Sequence, residues 1–310
     1  MRVIQGVNTA DITDQFDNAV QGRTLIIDGD GPAYVASATA KRIDTALRNF
    51  QSEMLKRMFL TKASDIRVHL TARSSDKYGR FRVKANKPYQ GQRKGKSKPA
   101  LLEPLREMVA DNATWLDEYC VIMHRELEAD DGMIQDAYRL GENGVISSED
   151  KDLRMTPYPY YESDRGQVMP SQPEGWVSLK LTPAGNAKMT GQGPMFFWAQ
   201  MLAGDTADNI SGIQRYAGEL CGPARAIAVL QDCTNTHDAA NLVLDGYRKI
   251  NQNAVAEGWL LWLTRWHKDN VIEYMLSREL SPENRDFVQD CVHRDWVIPR
   301  EEQDERDTNE

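Results

Sequence analysis

Cysteine is scarce in this 310-residue chain, and the four present (Cys120, Cys221, Cys233, Cys291) form no C-x-x-C pair. That spacing argues against a zinc site and against a disulfide framework, and it suits a reducing compartment. No apolar run approaches the length needed to cross a bilayer. The opening MRVIQGVNTADITDQFD has no apolar core behind a basic flank, so it does not read as a secretory leader. No internal repeat is visible. The expectation is a cytoplasmic protein with no membrane partner. Basic residues are also in deficit: 38 Lys and Arg against 46 Asp and Glu leave a formal charge of −8. By itself this disfavours a polyanionic partner.

The distribution reverses that reading. KYGRFRVKANKPYQGQRKGKSK, from Lys77 to Lys98, has no acid and interleaves Tyr78, Phe81 and Tyr89 with its cations. A basic run is more often a solvated loop than a site. Concentrated in an acidic protein and mixed with aromatics, it points to phosphate.

Short β-rich runs recur at TLIID (24–28), IRVHLT (66–71), YCVIMH (119–124) and GVISS (144–148). Helical spacing of apolar residues fills ATAKRIDTALRNFQSEMLKRMFL and KPALLEPLREMVADNATWL between them. This alternation predicts an α/β fold with a mostly parallel central sheet flanked by helices. WVSLKLT reads as half of a hairpin and GPMFFWAQMLAGD as a helix with proline near its start. From Asp205 to about residue 293 the pattern predicts helix throughout, and the charged tail 301–310 reads as disordered. His69 and His124 lie in apolar strands and read as core histidines.

Acids cluster at the run ends: Asp28 with Asp30; Glu128, Asp130 and Asp131; Asp150 and Asp152; Asp205 and Asp208. Each cluster alone is more often a helix cap or a loop acid. Together, at the strand ends of one sheet, they would crowd like charge that cations must neutralise. Oxygen ligands without His or Cys suit Mg2+, with Mn2+ able to substitute. So many carboxylates suit two ions acting on a phosphate.

Five motifs in order resemble those of the flap endonuclease and 5′→3′ exonuclease superfamily, the PIN-like 5′ nucleases, and most nearly the bacteriophage 5′-exonucleases. They are LIIDGD, PYQGQRK, LEADD, SSEDKDL and GDTADNISGI. The resemblance implies a 5′ nuclease acting on DNA with 5′ ends or flaps, with RNA–DNA hybrids as a further substrate, in a phage-type replication setting. It implies a nuclease domain over 1–204 with a helical arch at about 77–100. A helical DNA-binding region with a helix–hairpin–helix-type element would follow over 205–300. One ion would be held by Asp28, Glu128 and Asp130, with Asp131 nearby, and a second by Asp150, Asp152, Asp205 and Asp208. Asp76 stands at about the right distance from Tyr89 for a further family carboxylate, in different surroundings. Asp30 is a site neighbour.

Two departures are visible. The family's arch motif has lysine after tyrosine, and here that position is Gln90. Arg93, Lys94 or Lys87 would have to supply the catalytic charge. Arg80, Arg82, Lys84, Tyr89, Gln90, Lys96 and Lys98 are the expected nucleic-acid contacts of the arch, with Tyr89 either stacking on a base or packing the arch. The element after Asn209 is longer than the family pattern and has Ala224 near the usual lysine. Gly212, Gly222 and Arg225 are its expected duplex contacts. Two rival readings stay open: a haloacid-dehalogenase-like phosphatase with Asp28 as nucleophile, and an inactive nucleic-acid-binding relative.

Overall fold

The apolar runs pair side by side. The structure is a computed structural model that describes residues 3–4, 7–8, 19–93, 97–111, 119–182, 185 and 187–299. The expected acidic tail lies outside the described residues, as do Lys94 and Lys96. Apart from a short antiparallel pair, β1 (Val3–Ile4) with β2 (Val7–Asn8), six strands form one sheet. These are β3 (Val20–Asp28), β4 (Ala63–Thr71), β5 (Tyr119–His124), β6 (Gly144–Ser147), β7 (Tyr160–Glu162) and β8 (Gln167–Met169), in the order β5-β4-β3-β6-β7-β8. All neighbours are parallel except β7 with β8.

In β3, Leu25, Ile26 and Ile27 are all buried. An unbroken apolar run is what a parallel strand covered on both faces requires. The cover comes from α1 (Asp30–Thr39), α2 (Ile43–Thr61), α3 (Leu102–Asp111) and α4 (Ala129–Leu140). In α2, Ala46, Phe50 and Met54 recur at four-residue spacing and are fully buried, against a core that includes Val68, Leu70 and Leu105.

By contacts the chain forms two compact units. The first, residues 1–75, 97–149 and 158–171, carries the six-stranded sheet. The second comprises residues 76–96, 150–157 and 172–310. It holds the antiparallel hairpin of β9 (Trp176–Leu181) and β10 (Ala187–Gln192). Its helices are α5 (Gly193–Ala203), α6 (Pro223–Leu230), α7 (Thr236–Lys249), α8 (Ala254–Leu261), α9 (Val271–Leu276) and α10 (Pro282–His293). Helix α5 is apolar all round and packs against α6, α7 and α8, as such a helix must. Phe197 and Trp198 join Trp262 and Tyr274 in an aromatic cluster whose tightest pair, Trp262 on Tyr274, stacks at 4.3 Å.

Two segments differ from the periodicity. Residues 204–222 are loop, with isolated bridges Asp205–Ile210 and Tyr216–Glu219. Gly204, Asn209, Gly212, Ala217 and Gly218 there have positive φ, which no α-helix accommodates. Among the described residues, the basic segment is helical only as two short 3-10 turns, Lys77–Arg82 and Gly91–Arg93.

Candidate metal centre

In the first unit the acids sit at the carboxyl ends of strands. Asp28 is the last residue of β3 and accepts the Asp30 amide at 2.8 Å. Gly29 must lack a side chain, because a Cβ there would come within 2.8 Å of Leu70 and Val68. Asp30 turns away to Arg106 Nη2 (2.8 Å) and the Thr71 amide. Burial raises the Asp30 carboxyl above its ordinary pKa, with Arg106 and Thr71 opposing. Glu128 and Asp131 form a reciprocal capping box at the start of α4: each side chain accepts the other's amide. Asp131 is fully buried in that box, whereas Asp130 is half-buried. The cap reading and the ligand reading thus meet in the same residues.

Below the box, α4 rests on two imidazoles. His69 Nδ1 lies 2.9 Å from His124 Nε2, and His69 Nε2 lies 3.1 Å from Asp136 Oδ2. Gly132 makes room for them, since a Cβ there would fall 2.1 Å from His124. Burial lowers both histidines, His124 to about 4, so both are neutral at pH 7. Burial would raise Asp136, but His69 and Arg67 hold it well below the usual carboxylate range. His69 is buried, as the strand pattern implied, and His124, on the edge strand β5, is half-buried.

In the second unit Asp152, Asp205 and Asp208 each bring a carboxylate oxygen within 4.8 Å of the others. The loop after α5 is folded to do this: Asp205 pairs with Ile210 by two backbone hydrogen bonds, and Asp205 Oδ1 accepts the Ala207 amide at 3.0 Å. Gln200, from α5, donates to Asp152 Oδ1 at 2.6 Å. Exposed Asp150 accepts the Asp152 amide at 2.9 Å. Lys151 Nζ spans Asp152 (3.2 Å) and Asp205 (3.1 Å). Burial, then the charges of Asp150 and Asp205, push Asp152 well above its ordinary pKa, with Lys151 opposing. Burial would raise Asp205 too, but Lys151 and the Ala207 amide hold it below the ordinary value. Asp205 is 3% exposed, and its Oδ2 has no hydrogen-bond partner. A buried carboxylate oxygen with no hydrogen-bond donor, on a residue whose carboxylate lies within 4.8 Å of two others, fits a hard cation.

The basic segment is tied to this cluster. Tyr89 Oη donates to Asp208 Oδ2 (3.2 Å), Gln90 Nε2 donates to Asp208 Oδ1 (3.0 Å), and Lys77 Nζ donates to Gln90 Oε1 (2.7 Å). Tyr89 is 6% exposed, so it packs rather than offering its face to a base. Gln90 is buried too. Arg80, expected on DNA, is instead 1% exposed, donating to the Trp262 and Lys77 carbonyls. Gly212, expected on duplex phosphate, is buried at φ 65°, its amide donating to Glu257 Oε2 at 3.2 Å. Both polar groups are used inside the unit: Arg80 serves two backbone carbonyls, and the Gly212 amide is satisfied by the Glu257 carboxyl. Arg225 is held by Glu219 and the Tyr216 carbonyl, while Gly222 caps α6 in open space. Lys84 pairs with Asp295, Arg82 donates to the Ile298 carbonyl (3.4 Å), and Lys87 is exposed. In the first unit, Lys98 is exposed. Asp76 opens the first 3-10 turn, its carbonyl accepting from Gly79 (3.0 Å). Arg93 lies in the second turn.

Lys151, Gln200 and Glu257 were not singled out from sequence. Lys151 had a signal, lying between two acids in EDKD. Gln200 and Glu257 are single polar groups in apolar helices, a pattern that asks what satisfies them. Glu257 accepts from the amides of Asn86 and Gly212, fastening the basic segment and the 204–222 loop to α8. Burial pushes its carboxyl from the ordinary 4.5 up to about 7. Between those values the unfolded chain ionises while the buried acid keeps its proton, so stability falls as pH rises and levels off above about 7. Glu257→Gln should flatten that decline. Urea midpoints at pH 5 and pH 8 test it, and equal slopes in both proteins would refute it.

No family model matches the sequence, and no curated protein matches it. Solved structures do. The bacteriophage T5 protein co-crystallised with metal ions superposes with a TM-score of 0.51 at 14% identity, covering 87% of this chain and 98% of that one. Zinc-bound T5 5′-exonuclease gives 0.50 at 14% identity over the same shares. T5 flap endonuclease in a pseudo-enzyme–product complex with DNA and metal ions gives 0.51 at 14%, again with 87% and 98% covered. The mostly parallel sheet, its flanking helices and the helical C-terminal region give this chain the fold of the T5 5′-exonuclease structures.

Proposed function

We propose that the chain is a metal-dependent 5′ nuclease that hydrolyses phosphodiesters near the 5′ ends of DNA. The observation that supports this most is the Asp152–Asp205–Asp208 cluster with its unpartnered buried oxygen, set in a fold shared with T5 5′-exonuclease. Asp152, Asp205 and Asp208 would hold one divalent cation, with Asp150 beside them. In the first unit, Asp28, Glu128 and Asp130 would hold another. Such a cation, Mg2+ or Mn2+, supplies Lewis acidity toward a phosphate oxygen and makes a bound water acidic.

The chain's own residues prepare the cluster. Gln200 orients Asp152, Tyr89 and Gln90 each hold one oxygen of Asp208, and Lys151 balances the charge. Partners of this kind set ligand direction. Exposed Lys87 and Lys98 would meet phosphates away from the reacting bond, adding affinity that weakens with salt.

The test is cleavage of labelled duplexes carrying a 5′ flap, a recessed 5′ end or an RNA–DNA junction, with Mg2+, Mn2+ or EDTA. Cleavage in either metal and none in EDTA is expected. Full activity in EDTA would overturn the reading. Phosphate trapped on Asp28 would favour a phosphatase instead.

A further inference from the structure

We propose that Lys77, rather than a residue of the later basic run, supplies the positive charge that meets the scissile phosphate at the Asp152–Asp205–Asp208 centre. The proposal rests on the nuclease reading above. Its starting point is the buried Gln90, whose side chain bridges two groups. Gln90 Nε2 donates to Asp208 Oδ1 at 3.0 Å, and its Oε1 accepts from Lys77 Nζ at 2.7 Å. The Gln90 amide donates to the Asp208 carbonyl at 2.9 Å. The ammonium is therefore held two hydrogen bonds from a carboxylate of the cluster. It also stands 5.5 Å from the centre of the Phe81 ring and 6.0 Å from that of Tyr89, where aromatic faces favour a cation.

The backbone beneath it is strained. Lys77 (φ 52°) and Tyr78 (φ 58°) are successive non-glycine residues in left-handed conformation. The surrounding unit holds them there. Tyr78 stacks on Trp259 at 5.3 Å with rings 2° from parallel, and its hydroxyl donates to the Asp269 carbonyl at 3.0 Å. Trp259 Nε1 donates to the Tyr78 carbonyl at 3.2 Å, and buried Arg80 donates to the Lys77 carbonyl at 3.2 Å. A solvated loop would relax such strain. Where the fold enforces it, the strain fixes the aim of a side chain.

The chemistry needs a cation there. A water oxygen bonds to phosphorus as the bond from phosphorus to the departing sugar oxygen breaks. The water gives up a proton and the departing oxygen gains one. Negative charge builds on the phosphoryl oxygens meanwhile, and a pre-positioned ammonium stabilises it without transferring a proton.

Single-turnover cleavage of 5′-flap DNA at saturating Mg2+ by the full chain tests the assignment. Glycine suits φ 52° at this position, so Lys77→Gly should fold as stably as wild type, which thermal melting verifies. Its rate should fall by about 10²–10³-fold, with DNA affinity nearly unchanged. Lys77→Arg should keep part of the rate, and Gln90→Ala and Arg93→Ala should each cost less than Lys77→Gly. An active wild type with an equally active Lys77→Gly would overturn the assignment alone. So would a loss seen only in a parallel series below saturating Mg2+ and absent at saturation, since Lys77 would then only steady Asp208. A wild type with no Mg2+-dependent cleavage would overturn the nuclease reading and this assignment with it.

Discussion

Asp205→Asn should lower Mg2+-dependent cleavage by at least about 10³-fold, more than most single electrostatic contacts cost. Asparagine keeps the shape and can still accept the Ala207 amide, so the loop between Asp205 and Ile210 should survive. What it removes is the charge on a residue whose second oxygen is buried without a partner. The cluster loses repulsion at the same time, since Asp152 is already pushed up by the charges of Asp150 and Asp205. The loss of Asp205's favourable pairing with Lys151 opposes that relief, so stability in EDTA should change little while activity collapses, which separates lost chemistry from lost fold. Single-turnover rates with parallel thermal melts in EDTA check both halves. A variant within tenfold of wild type would show that this cluster does not carry the reaction.

Lys151→Met should have the opposite signature. In EDTA it should destabilise the protein by roughly 3 kcal/mol, the lower end of what breaking a buried ion pair costs. The Lys151 ammonium spans Asp152 and Asp205, and those two carboxylates raise its pKa against the effect of burial. Methionine fills the space but leaves the carboxylates facing one another unbalanced. Mg2+ should then stabilise the variant far more than wild type, because a ligand that binds only the folded state adds stability by mass action. Urea midpoints in EDTA and in millimolar Mg2+ test this. Equal midpoints for the two proteins in EDTA would mean that the lysine is not the counter-charge.

Much of the fold was legible because apolar periodicity reports burial directly. The run YCVIMH is β5 to the residue, WVSLKLT is half of a hairpin, and the apolar GPMFFWAQMLA is a buried helix. The acids were legible as motifs, since Asp28 ends a strand and Asp152, Asp205 and Asp208 converge. Periodicity does not say which polar groups fold inward. Arg80 and Gly212 had the chemistry of phosphate contacts, and only the carbonyls of Trp262 and Lys77 and the carboxylate of Glu257 reveal that both are used inside the protein. Gln90 looked like a lost lysine. The bond from Lys77 Nζ to its Oε1 joins residues 13 apart in sequence, a spacing no helical or strand pattern marks. The 204–222 loop escaped for a similar reason, because left-handed residues other than glycine carry little compositional signal.

The path of the chain through its two units bears on how the protein is made. The backbone passes from one unit to the other at 75/76, 96/97, 149/150, 157/158 and 171/172. Neither unit is a contiguous segment: a gene fragment cut after residue 204 encodes every residue of the first unit but only part of the second. On the ribosome, Arg80 emerges 182 residues before Trp262, whose carbonyl accepts from its guanidinium, and Tyr78 waits 181 residues for Trp259. Pairings this distant are slow to form and expose apolar surface in the interval. The strained turn at Lys77 is thus among the last parts of the second unit to be held in place, and a nascent or truncated chain bears the acids of the site before it can hold that lysine.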